Sequence, residues 1–471
     1  MKKSYVFLCM LLAAYSSEAK TEVLNAPQDS PSFTEGNVSP ASRARKDWNF
    51  MVYMAANNNL HTFAIANLMQ MISVGSTPDL NILVQLDEYG KREVSRYYIE
   101  KNNPITVATS DHTQISTSGT KQSLYEFMKW SIQKFPANNH AIVLWNHGSG
   151  IKDPHIWGRT LMKNRDQLFA FNDKTGLLEL NRHIARYHLD KYEEEQRFIS
   201  YTYEILKRRG IAFNDTYEEY LTNQDLTMVL EKVSKELLGK KIDLLLMDAC
   251  HMAMVEVGSQ VKSAVNYMAA SEEIEPGPGY NYSFLLEPFT HNTLSPQEFA
   301  CQAVKAYAQH YKGINADFTQ SAINLNEFEK LEKNIKDITL LMTNVIDTET
   351  SIDFKALLQS IRKNRRHTTS FCDYDYIDFC HFYKSLNEII AIKLPDTKGS
   401  TREKLMNIRL LALQGLSMMQ NYILMNATGI NLPNAFGLSF YFPTRRMDDT
   451  YFKTIFDQQT KWSEILRRYL S

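Results

Sequence analysis

The stretches HAIVLWNHGSG (residues 140–150) and IDLLLMDACHMAMVEVG (residues 242–258) decide how this chain folds. Each opens on a short run that is apolar at successive positions, the pattern of a strand buried on both faces rather than one. Each then breaks into small or polar residues, Asn146-His147-Gly148-Ser149-Gly150 in one and Asp248-Ala249-Cys250-His251 in the other. Strands covered on both sides belong to a parallel sheet sandwiched between helices.

The same alternation extends outward. WNFMVYMAA (48–56) reads as a buried strand, and Leu60, Phe63, Ala64, Leu68, Met71 and Ile72 then fall on one helical face. Strands follow at 81–86 and 92–100, helices at 121–135 and 224–238, then a helix over 252–263 and a strand over 265–271. The expected core is an α/β/α sandwich with a mainly parallel central sheet. Beyond Tyr280 the signals turn helical, at 296–312, 326–345 and 402–425, broken by strands at 321–325 and 437–442. With no Pro/Gly/Ser linker before it, this mostly helical C-terminal part is expected to pack on the sheet. The core is thus bounded at 47–315 and the C-terminal part at 316–471. An insertion at 151–212 interrupts the core; within it AFNDKT (170–175) is echoed by AFNDTY (212–217).

At the N-terminus Lys2 and Lys3, an apolar run from Tyr5 to Tyr15, and the small residues Ser17 and Ala19 have the three parts of a secretory signal cleaved after Ala19. The run is too short for the roughly 20 residues of a transmembrane anchor, and lipidation at Cys9 is a weaker reading. Residues 20–46 have the composition of a disordered leader or pro-segment. The expected location is therefore outside the cytoplasm. With 52 basic and 53 acidic residues the net charge is -1, which advertises neither nucleic acid nor an anionic membrane. Cys250, Cys301, Cys372 and Cys380 are too sparse for a disulfide scaffold and lack the spacing of a zinc site.

In open parallel sheets reactive groups gather past the carboxyl ends of the strands. His147 and Cys250 both stand there. A cysteine attacks a carbonyl as its thiolate, and a helix N-terminus and an imidazole both favour that form. Cys250 is therefore the expected nucleophile, placed just before a helix starting near Met252, and His147 its base. The N–H groups of Gly148 and Cys250 are the expected oxyanion hole. His251 is a rival base, disfavoured because neighbours at such a turn point apart. Neither GxxxxGK[ST] nor GxGxxG is present, which excludes a nucleotide loop.

The segments WNFMVYMAANNNL, HAIVLWNHGSG, AFNDTYEEYLTNQDL, IDLLLMDACHMAMVEVG, MAASEEIEPGPGYNY and GLSFYFP resemble the successive signature blocks of the clostripain family of cysteine peptidases, from about residue 48 to 443. The resemblance implies a caspase-like fold, a Cys250/His147 dyad, and cleavage of polypeptides after Arg or Lys. Asp248 matches the acidic residue that receives the basic side chain, and Glu272 and Glu273 are candidates for a second charge. The family also implies a zymogen; Lys207, Arg208 and Arg209 are the expected self-cleavage site, the alternative being a cationic helix end that is never cut. Some members need calcium, but no ligand motif here names a site, and no metal ligand is assigned. His251 and the length of the insertion depart from the family pattern. The rivals are a secreted binding protein that keeps the fold without activity and a dyad enzyme acting on a small amide. The oligomeric state is not encoded in any motif.

Overall fold

The computed structural model describes residues 34–35, 44–89, 91, 93–106, 117–152, 169–172, 177–180, 211–214 and 219–471. Its centre is a 10-stranded sheet. In chain order the strands are β1 (Thr34–Glu35), β2 (Lys46–Ala56), β3 (Leu80–Glu88), β4 (Ser95–Glu100), β5 (Asn103–Thr106), β6 (Ala137–Trp145), β7 (Phe169–Asn172), β8 (Leu177–Leu180), β9 (Ile211–Asn214), β10 (Glu219–Leu221), β11 (Ile242–Asp248), β12 (Val265–Ala270), β13 (Thr319–Asn324), β14 (Tyr376–Asp378), β15 (Ile423–Thr428) and β16 (Ser439–Tyr441). The central sheet runs β1-β5-β4-β3-β2-β6-β11-β12-β13-β15. The stretch from β3 through β12 is parallel, and the flanking pairs β3–β4, β12–β13 and β13–β15 are antiparallel.

The apolar runs are buried on both faces because each face carries its own core. Along β2, Met51, Tyr53 and Ala55 join a core with the helices Lys121–Lys134 and Asn223–Lys232. Phe50, Val52 and Met54 point the other way, against the helices His61–Val74 and Pro296–Tyr311. This is the two-sided sandwich that successive apolar residues require. The helices begin where the sequence supplies caps: Thr222 with Asp225, and Ser295 with Glu298, each form a reciprocal capping box.

One expectation changes. The helix read over 402–425 spans Gly399–Tyr422, and its last apolar residues belong to β15, which pairs with β13 at the sheet edge. The C-terminal part therefore contributes two strands to the central sheet as well as helices. The strand read at 437–442 is β16, which pairs with β14 in a separate ribbon. The helices Phe354–Lys363, Phe379–Lys393 and Trp462–Leu470 complete this part. Within and after the insertion, β7 pairs with β8 and β9 with β10, so both AFN echoes are first arms of hairpins. Ile211 and Ala212 are buried, and the Asn214 side chain donates to Asp87 at 2.7 Å, fixing the end of the insertion to the core. The signal segment and Lys207 to Arg209 lie outside the described residues, and so does the leader apart from β1 and residues 44–46, the last of which opens β2. Among the described residues no helix is long and apolar enough to cross a membrane, and all four cysteines from Cys250 to Cys380 are free.

Candidate active site

The two reactive loops leave the sheet at the same step. β6 and β11 are parallel neighbours with Trp145 opposite Asp248, so His147 and Cys250 each stand two residues beyond a matched pair. The Asn146 N–H donates to the Asp248 carbonyl at 3.2 Å, and the Asn146 side chain donates to the Ala55 carbonyl at the end of β2. These bonds hold the His147 loop against both neighbouring strands.

His147 is buried, with Nε2 2.8 Å from Oδ1 of Asn59, which lies in the turn after β2. An amide oxygen there calls for a proton on Nε2, and in the neutral ring Nδ1 is then the acceptor. The Cys250 sulfur accepts the Glu275 N–H at 3.3 Å and also the Gly148 N–H. Gly148 is held so closely that a Cβ would lie 2.3 Å from the Cys250 carbonyl oxygen, so only glycine brings its N–H to this position. Burial, and after it the Glu275 carboxylate, push the Cys250 thiol up to about 12.

The helix after Cys250 begins at Val255, not near Met252. The expected help from a helix N-terminus is therefore replaced by the two N–H groups aimed at the sulfur. The reason is His251, whose left-handed backbone (φ 60°) turns the chain aside before the helix can start. The His251 ring is buried, with Nδ1 2.9 Å from the Glu272 carbonyl and an edge-on contact to Tyr376. Burial lowers its pKa.

Asp248, the last residue of β11, is buried. It accepts the Tyr282 hydroxyl at 2.8 Å and the Tyr280 N–H at 3.2 Å. Gly279 (φ 60°) lets the following loop close over it, since a Cβ there would meet Asp248 Oδ1 at 2.1 Å. Burial pushes the Asp248 carboxyl up to about 6. Beside it is Glu275, raised well above the carboxylate range by burial and then by Asp248, with Oε1 accepting the Gln320 amide at 3.1 Å. Two carboxyls this close cannot both ionise freely and share a proton. The hydrogen-bond partners described for the pair are hydroxyl, amide and backbone N–H groups, with no cation among them.

Glu272 and Glu273 face elsewhere. Glu272 accepts the Gly437 N–H at 3.0 Å and is raised by burial and by Asp378. Glu273 accepts the N–H groups of Ile274 and Cys372, and burial brings it to about 7. The carboxylate that joins Asp248 is Glu275, which the sequence reading passed over, as it did Asn59 and Tyr282. A signal for Glu275 was present in Pro276-Gly277-Pro278-Gly279, whose turn residues fold the loop back on the end of β11. Among the described residues no group of His, Cys, Asp and Glu is arranged to hold a metal ion.

The clostripain family model matches residues 52–174 and 189–468. No curated protein matches in sequence. Among solved structures, a secreted C11 cysteine protease from Bacteroides thetaiotaomicron, "iotapain", aligns at TM-score 0.57 and 12% identity over 88% of this chain and 100% of that one. A second structure of a secreted C11 cysteine protease from Bacteroides thetaiotaomicron, in complex with an irreversible peptide inhibitor, gives 0.54 and 16% over 88% and 99%. An inactive zymogen C11 protease from Parabacteroides distasonis gives 0.50 and 14% over 91% and 99%. At these identities the structural likeness shows the fold, a caspase-like sandwich, while the family match spans most of the chain: it belongs to the clostripain family of cysteine peptidases.

Proposed function

We propose that this peptidase cleaves polypeptides after Arg or Lys, with Cys250 as nucleophile and His147 as base. The observation that carries the specificity is the buried Asp248–Glu275 pair beside Cys250, whose described partners include no cation. A guanidinium or ammonium entering there would replace the shared proton and make charge-assisted bonds that a neutral side chain cannot.

In this reading His147 takes the Cys250 proton as sulfur bonds to the scissile carbonyl carbon. The Gly148 and Cys250 N–H groups hold the resulting oxyanion. His147 then protonates the leaving amine as the C–N bond breaks, leaving an acyl-enzyme. Water, deprotonated by His147, displaces the sulfur and restores the thiol. Fluorogenic peptides ending in Arg, Lys, Asn or Asp test this: Arg or Lys alone should be cut, and Cys250→Ala should cut none. Equal cleavage of all four would remove the specificity, and no cleavage by the wild type would favour the idle binding protein.

Export through the N-terminal signal and activation by self-cleavage belong to the same proposal. The segment Lys207-Arg208-Arg209 directly precedes β9, where a cut would meet an anchored strand. N-terminal sequencing of the purified wild type should find a chain beginning near Gly210, with Cys250→Ala intact. A fully active single chain would contradict it. Comparing activity with and without a chelator decides the calcium requirement.

A further inference from the structure

We propose that Lys152 is a positioning residue for His147, fastening the base's loop to the Asp373–Tyr376 turn of the C-terminal part; the proposal rests on the reading of His147 as base. Lys152 lies five residues beyond His147, just before the stretch outside the described residues. Its side chain is 2% exposed, a rare state for a lysine unless it is paired. The ammonium donates to both Asp373 oxygens, at 3.0 and 2.9 Å, and to Asp375 at 3.0 Å. It also lies over the rings of Tyr376 and Tyr441, at 4.8 and 5.4 Å from their centroids.

The rest of the loop is fixed to the same surroundings. The Ser149 hydroxyl donates to the Lys152 carbonyl at 2.8 Å, and the Tyr376 hydroxyl donates to the Ser149 carbonyl at 2.6 Å. The Asn223 amide donates to the Gly150 carbonyl at 3.0 Å. Gly150 (φ 63°) is wedged where a Cβ would meet the Met254 sulfur at 2.5 Å. The turn also reaches the nucleophile's side: the Cys372 N–H donates to the Glu273 carboxylate, and the Glu273 carbonyl accepts the His251 N–H. A closed chain of bonds therefore runs from the loop of His147 through Lys152 and the turn to the residue after Cys250. Cutting the chain beyond Lys152 leaves this circuit whole.

Lys152→Met keeps the apolar stem and removes the tether, but leaves two aspartates without their cation. Lys152→Met combined with Asp373→Asn removes tether and stranded charge together, which keeps the test independent of folding. Both should lower kcat by about 30-fold with KM within about twofold, as expected when a base is misplaced while binding survives. Alkylation of Cys250 by iodoacetamide, read by peptide mass spectrometry, should slow in parallel. In a His147→Ala background, Lys152→Met should slow it no further, because a residue that acts through His147 has nothing left to act on. Wild-type kcat in the folded double variant, or the same slowing of alkylation with and without His147, overturns the proposal. Full activity of His147→Ala alone would instead overturn the assignment of the base, and this inference with it.

Discussion

Two acidic clusters lie at the carboxyl-end side of β6 and β11, and they are satisfied in opposite ways. Asp373 and Asp375 receive a buried lysine of the same chain. Asp248 and Glu275 receive hydroxyl, amide and N–H groups, and both are raised by burial. A cluster with its own cation is finished when the chain folds. One held together by a shared proton is less stable than it could be and gains most from a cation brought by something else. Under the proposals above, the first cluster is a tether and the second a receptor.

The comparison predicts different losses for each element. Removing the reacting groups is the largest: Cys250→Ala and His147→Ala should each lower kcat/KM by about 10⁴-fold or more with unchanged melting temperature, because nucleophile and base act as a unit. Comparable activity in His251→Ala and wild type should accompany this, since that ring is bonded to the Glu272 carbonyl. If His251→Ala folds yet is as inactive as His147→Ala, the base has been misassigned.

Glu275→Gln should cost a basic substrate roughly 10–100-fold in kcat/KM, less than loss of a reacting group, because Asp248 still carries charge. The same variant should lower the Cys250 thiol pKa, since Glu275 is one cause of its elevation. Thiol titration by alkylation rate checks this; an unmoved pKa would place the Glu275 charge too far away to matter.

The fold was readable because its strands are apolar on both faces, and only a two-sided sheet satisfies that pattern. The strand β15 was not, because Ile423 to Met425 continue the apolar spacing of the helix before them and become a strand only by pairing with the distant β13. Within the candidate site, the positions of His147 and Cys250 just past neighbouring strand ends were legible. Glu275 was hidden among three acids, since which of Glu272, Glu273 and Glu275 meets Asp248 depends on how the loop doubles back at Gly279. Asn59 gave no such signal, because its contact with His147 crosses from the turn after β2 to the loop after β6.

A smaller effect concerns pH. Asp248 moves from an ordinary 3.8 when unfolded to about 6 when folded, so the folded state binds more protons between these values. Its contribution to stability is fully present below pH 3.8 and is lost as pH rises through about 6. Asp248→Asn should therefore flatten the melting temperature over this window relative to wild type. A small cation such as benzamidine should bind the wild type more tightly as pH rises from 5 to 7, releasing a proton that calorimetry in two buffers can count. Binding without pH dependence would mean that the pair is already ionised.

The central claim is that the Asp248 carboxylate selects a cationic side chain. Its most direct test is the ratio of kcat/KM for an Arg peptide to that for the same peptide with norleucine, measured for wild type and Asp248→Asn. The ratio should fall by roughly 100-fold, on the order of a buried charge pair losing one partner. A ratio left unchanged, with only the melting temperature lowered, would show that Asp248 merely supports the loop above it.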